Sequence, residues 1–263
     1  MKNAVNRAPV AKKNANLWRA LGRNTIISII LFGALLGLLW LAELIFPAVQ
    51  GQLLRWADAA WVVGIPASII GVAYILTIKD PSNYTGFYAG IIMSILLGVQ
   101  FILLKGYDSA LLFFCVFIPF QIKSILNWSK PQKEDAEPFS PEFLSTKGML
   151  LSVLTLVIIT AADYWYATWY YQDSFSDGFI AKLFGGLLIS SSILANFWLI
   201  YRKTDSWIYW FIYSAAGIVL FIILDNIFSI VLFIFFLVIN GMAGLAWIKS
   251  TKPENMGWLR CKK

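Results

Sequence analysis

Three carboxamides stand inside otherwise apolar stretches of this chain: Gln121, Asn196 and Asn240. An amide side chain carries two N–H donors and a carbonyl acceptor. Burying one without partners costs about 1–3 kcal/mol, so each must be answered by protein or by ligand. Six residues past Asn196 comes a short basic break, Arg202–Lys203, and then two tryptophans at WxxW spacing, Trp207 and Trp210. Ser192 lies one helical turn before Asn196, and Tyr213 lies one turn after Trp210, so each shares a helix face with its neighbour. The set offers amides, hydroxyls and aromatic faces, and no formal charge. It would take a flat ring bearing a hydroxylated group, by stacking and hydrogen bonds; a cationic ring would gain a cation–π term of about 1–2 kcal/mol. The plainer alternative is that the amides hold neighbouring helices together and the tryptophans sit in an interfacial belt. Trp207 fits the belt and the site equally well.

The elements that would position these residues are transmembrane helices. The 263 residues are 59% hydrophobic and 13% charged, against roughly 45–50% and 25% in soluble domains. A spanning helix needs about 20 apolar residues. A basic arm (residues 1–24) precedes a first span at 25–48, and a first group of three spans fills 60–128. A proline-containing linker of mixed charge (129–147) leads to a single span at 148–170, which ends in the aromatic cluster YWYATWYY. Three more spans fill 178–248, and a basic tail covers 249–263. Eight spans put both termini on one side. That side then holds eighteen of the 21 Lys and Arg residues, the other only Arg55, Lys105 and Lys182. The asymmetry assigns both termini to the cytosol. The positive charge therefore concerns orientation and contact with lipid, not nucleic acid. Cys115 lies mid-span and Cys261 in the tail, so no disulfide is expected.

The two groups of three spans read as a repeat. A shift of 119 lays Gln121 on Asn240 and Trp128 on Trp247; a shift of 123 in the earlier part lays Lys79 on Arg202, Tyr84 on Trp207 and Phe87 on Trp210. One span separates the groups, so they share an orientation. The fold expected is all-α and polytopic: an extra N-terminal helix plus a 3+1+3 core of two parallel three-helix repeats, a plan that places substrate near the midplane between the halves. Depth adds a common level. At ~1.5 Å per residue, Asn196 lies ~9 Å in from the basic end, and Gln121, Asn240 and Trp210 lie ~10 Å in, against a hydrocarbon half-thickness of ~15 Å.

Other chemistries find little support. The chain has no histidine, the commonest metal ligand and acid–base group. It has no HExxH motif, no nucleophile motif and no paired central carboxylates. Neither catalytic residues, nor a metal, nor a cofactor is expected. Proton- or sodium-coupled carriers usually keep an acidic residue near the membrane centre; the six repeat helices hold none there, which favours uncoupled facilitated diffusion.

SNYxxFYAG at 82–90, LKGYDSALLFF before Gln121, the amide ahead of the basic break, WIYW at 207–210, and Asn240 with GLAW together resemble the Pnu family of bacterial vitamin transporters. The resemblance covers roughly 60–248. It implies a core similar in plan to the SWEET sugar carriers, assembled as a homotrimer in the bacterial inner membrane. It implies import of nicotinamide riboside, an NAD precursor, followed by trapping by a cytosolic kinase. The ring would lie against Trp207 or Trp210, with ribose and carboxamide on Gln121, Asn196 and Asn240. Asn196 stands where many members carry glutamine, which bears on substrate choice. Thiamine and (deoxy)nucleosides suit the same lining, and a non-transporting membrane scaffold is the alternative from another class.

Overall fold

The computed structural model describes residues 7–46, 51, 58–130, 140–170 and 178–259. The protein is an all-helical, multi-pass membrane protein with eight helices long and apolar enough to span a bilayer. The elements are α1 (Arg7–Ile45), α2 (Ala59–Ile78), α3 (Gly86–Leu103), α4 (Tyr107–Leu112), a π-helical turn (Phe113–Phe117), α5 (Ile118–Trp128), α6 (Thr146–Tyr170), α7 (Phe179–Ile200), α8 (Ser206–Ile223) and α9 (Ile227–Ser250). Short 3₁₀ turns at Pro253–Asn255 and Gly257–Leu259 follow. Cys261, the acidic loop after Tyr170 and the centre of the 129–147 linker lie outside the described residues.

The chain forms two compact units, residues 1–38 with 55–132, and residues 39–54 with 133–263. In the first, α1 begins much earlier than its apolar run. The expected basic arm is helical from Arg7. The reason is a stripe that hydropathy averaging hides: Asn14, Leu17, Ala20, Leu21 and Asn24 recur at helical spacing and are the more buried positions of that stretch. Pro9 falls in the first turn, where proline is tolerated. This stripe docks on the turn between α2 and α3. Asn24 Nδ2 donates to Thr77 Oγ1 at 3.0 Å, Thr85 Oγ1 donates to the Leu17 carbonyl at 3.2 Å, and the Trp18 and Tyr88 rings lie 5.1 Å apart. Further along, Ile26, Ile30 and Leu38 are exposed, as lipid-facing residues are.

In the second unit, the single linking span, α6, packs on α7. Thr160 and Ser190 share a 2.7 Å hydroxyl hydrogen bond. Ser152 Oγ receives both Trp198 Nε1 at 2.7 Å and the Tyr209 hydroxyl at 2.6 Å. A Cβ on Gly186 would stand 2.8 Å from the Thr160 carbonyl oxygen, so the backbones meet at that glycine. Small and hydroxylated residues at the crossing are the usual means by which helices associate in lipid.

The repeat is present, but its register differs from the one expected. α3 and α8 differ by 120 at both ends, and the turns after them match at the same offset. Lys105 and Asp225 both have positive φ, and Gly106 N–H to Phe101 O is repeated as Asn226 N–H to Phe221 O. Phe87 therefore corresponds to Trp207, not Trp210, and the position matching Trp210 is Gly90. The expected offset of 123 fails because the turn between the first two helices of the repeat is shorter in the second half. It runs from Ile78 to Gly86 in the first and from Ile200 to Ser206 in the second.

Candidate functional site

Each half builds its amide site from a ladder of contacts between its second and third repeat helices. In the second half, the Phe233 ring lies where a Cβ on Gly217 would go. One level on, Asn240 Nδ2 donates to Ser214 Oγ at 3.0 Å and to the Trp210 carbonyl at 3.4 Å. Below that, a Cβ on Gly244 would touch Trp207 Cβ at 3.0 Å, and the Trp207 and Trp247 rings meet edge-on at 5.6 Å and 70°. The first half repeats the ladder. Phe114 fills the space over Gly98, the Gln121 amide lies 2.8 Å from where a Gly90 Cβ would be, and Trp128 meets Phe87 edge-on at 4.7 Å and 88°.

The amides differ in what answers them. Gln121 is 2% exposed, and its Nε2 donates to the Tyr74 hydroxyl at 3.4 Å. Tyr74 is missing from the residues picked out in the sequence; its only signal there is a phenol inside GVAYILTI. Asn240 is also 2% exposed. Its Oδ1 is buried and has no hydrogen-bond partner among the described residues, and the same holds for Trp207 Nε1. Ser94, at the position matching Ser214, is fully buried with its hydroxyl likewise unanswered. Glutamine is one methylene longer than asparagine. Gln121 reaches the phenol on α2, whereas Asn240 settles on the serine beside it.

The other expected residues divide. Asn196 and Ser192 are buried on α7, and Asn196 Nδ2 donates to the Ser192 carbonyl at 2.9 Å. Counted back four from the helix ends, Asn196 stands where Tyr74 stands on α2. Trp210 is partly buried. It packs against the Leu194, Ala195 and Tyr209 cluster, and its ring meets Tyr213 edge-on at 5.4 Å; Tyr213 in turn leans on Phe233 at 5.3 Å. Trp207 is 4% exposed, so it is no exposed belt residue. In the second unit Asn240 meets Trp210, Trp210 meets Tyr213, and Trp207 packs one turn along α9 at Gly244, while Asn196 and Ser192 bond to each other on α7. Gln121 belongs to the first unit with Tyr74. Among the described residues no three His, Cys, Asp or Glu side chains gather.

The profile of the nicotinamide mononucleotide transporter family matches residues 61–249. The chain belongs to that family. It is a membrane transporter, and the match spans both three-helix repeats and the linking helix but leaves α1 wholly outside. A solved structure, the crystal structure of the vitamin B3 transporter PnuC, is similar in fold. Its TM-score is 0.57 at 17% identity, over 85% of this chain and 91% of that one. No curated protein matches the chain.

Proposed function

We propose that this transporter imports nicotinamide riboside by uncoupled facilitated diffusion across a bacterial inner membrane, with both termini cytosolic and a cytosolic kinase trapping the product. The observation that carries the reading is the buried, unanswered Asn240 Oδ1, on an amide that donates to the Ser214 hydroxyl and the Trp210 carbonyl. A buried acceptor left open costs about 1–3 kcal/mol, a cost that a ligand's N–H or O–H would remove. The neutral lining favours the riboside over the mononucleotide, because a phosphate calls for arginine or lysine and Asn240, Ser214, Trp207 and Trp210 offer neither. The family's description names the mononucleotide and the similar solved structure a vitamin B3 transporter, which supports a nicotinamide-bearing substrate; the choice of the riboside rests on the uncharged lining. Gln121, Asn196 and Ser192 are assigned to the same substrate, and a homotrimer is the expected assembly.

Calorimetry tests the substrate. Purified protein titrated in parallel with nicotinamide riboside, thiamine and a deoxynucleoside is expected to give heat with the riboside; a signal with thiamine alone overturns the assignment. Uptake into liposomes tests the mechanism. Transport is expected to run down the riboside gradient without an imposed ion gradient, and an absolute need for a proton or sodium gradient refutes uncoupling.

A further inference from the structure

The helix that carries Trp207 and Trp210 starts at a buried carboxylate held by two segments foreign to the repeat. Asp205, directly before α8, is 0% exposed. Its Oδ2 accepts the Leu144 backbone N–H at 2.7 Å, and its Oδ1 accepts Trp258 Nε1 at 2.6 Å. Leu144 belongs to the end of the linker and Trp258 to the tail, so one side chain ties both to the turn between α7 and α8. The tie is reinforced on each side. Thr204 N–H donates to the Glu142 carbonyl at 2.9 Å, and Lys203 Nζ stands 2.8 Å from Glu142 Oε1. The Thr204 and Thr251 hydroxyls share a 3.1 Å bond. Trp258 N–H donates to the Leu144 carbonyl and Phe143 N–H to the Asn255 carbonyl, both at 2.8 Å.

The first repeat shows what is general here. The position matching Asp205 at the offset of 120 is Thr85, and it too is held from outside the repeat, by the Leu17 carbonyl of α1. Thr85 is fully buried and bonded to Asn83 Oδ1 at 2.7 Å. Each repeat therefore begins its middle helix at a buried polar residue clasped by an added segment. The first clasp is neutral; the second is a carboxylate with two N–H donors, two residues from Trp207 and five from Trp210.

We propose that Asp205 is a positioning residue for substrate binding: through Leu144 and the tail residue Trp258 it fixes the first turn of α8, and with it the tryptophans and the Trp210 carbonyl on which Asn240 leans. The proposal rests on the site assigned above. It makes the tail part of the binding apparatus.

The test uses the full-length protein in detergent or nanodiscs, with W258F and D205N compared to wild type. W258F keeps the ring and removes only the indole donor, so it stands as the informative variant if D205N fails to fold. Amide hydrogen exchange is read over 204–210, with 83–88 as the internal control. Exchange over 204–210 is expected to rise roughly tenfold in W258F, a local opening, with 83–88 unchanged; unchanged exchange over 204–210 overturns the clasp. Nicotinamide riboside titration is then expected to show weaker binding in W258F at a wild-type melting temperature. Faster exchange with unaltered affinity reduces Asp205 to a structural role and refutes positioning. If wild type itself does not bind the riboside, the substrate assignment falls, and the exchange result still judges the clasp.

Discussion

The two halves carry the same ladder with different rungs. Glycine lies under a phenylalanine at one end, an amide occupies the middle, and an edge-on aromatic pair closes the basic end. Between its start and its amide, the first half's last helix has one residue more than the second's. Its start is offset by 120 (Tyr107 to Ile227), whereas Gln121 to Asn240 and Trp128 to Trp247 are offset by 119. The surplus sits in the π-helical turn Phe113–Phe117, the form in which an inserted residue is usually absorbed. Two adjacent rings there divide work that one does in α9. Phe113 stacks on Phe101 at 5.6 Å while Phe114 covers Gly98; Phe233 both leans on Phe221 at 5.3 Å and covers Gly217. Because the turn takes up the extra residue, both ends of the helix keep their faces, and Gln121 still meets α2 and α3. The halves thus share a frame, and sequence changes fall where the frame can absorb them.

The sharpest way to break this comparison is deletion. Removing Phe233 turns everything beyond it by about 100°, with no π-turn to absorb the change, and is expected to abolish folding. Removing Phe114 takes out the surplus residue and is expected to leave a folded protein melting within about 5 °C of wild type. Size-exclusion and thermal unfolding check both; equal damage from the two deletions refutes the equivalence. Next come the amides. Q121A and N240A are each expected to weaken nicotinamide riboside binding by roughly 10–100-fold, which corresponds to about 1.5–3 kcal/mol, as read by titration. An effect confined to one of them confines the site to one half.

Smaller effects refine the ladder. G217A places a Cβ within the Phe233 ring and is expected to destabilise by about 1–3 kcal/mol, lowering the melting temperature. G244A meets only the 3.0 Å approach of Trp207 Cβ and is expected to cost less. The smallest effect separates the clasps. Burial pushes the Asp205 carboxyl above its ordinary value of 3.8, while the Leu144 N–H, Trp258 and Lys203 pull it back. The folded protein therefore binds that proton more tightly than the unfolded chain. Stability rises as pH falls through the interval between the raised value and 3.8, and declines as pH rises through it. D205N is expected to remove that part of the pH dependence of the melting temperature, while T85V, at the neutral clasp, is expected to leave the slope intact.

Much of this is legible in the sequence alone. Long apolar runs fix eight spans, because a bilayer admits few other solutions for a buried backbone. An amide in such a run is costly to bury unpaired, which is why Gln121, Asn196 and Asn240 stand out. Tyr74 and Ser94 did not, since a phenol or a hydroxyl in an apolar helix has many harmless uses. The helical arm from Arg7 was hidden by its charges, although its spacing was helical. The repeat was visible and its register was not: offsets of 122, 120 and 119 hold in successive stretches, and an alignment of apolar letters cannot tell a shortened turn from a shifted helix.

Composition and spacing alone determined the class, the number of spans and the amides, because those follow from the cost of burying polar groups in lipid. Which partner answers each amide, that Trp207 matches Phe87 while Gly90 matches Trp210, and that the tail grips Asp205 were decided only in three dimensions. Those outcomes depend on the rotation of each helix about its own axis, on one absorbed residue in a π-turn, and on contacts between segments more than fifty residues apart, as from Asp205 to Leu144 and Trp258.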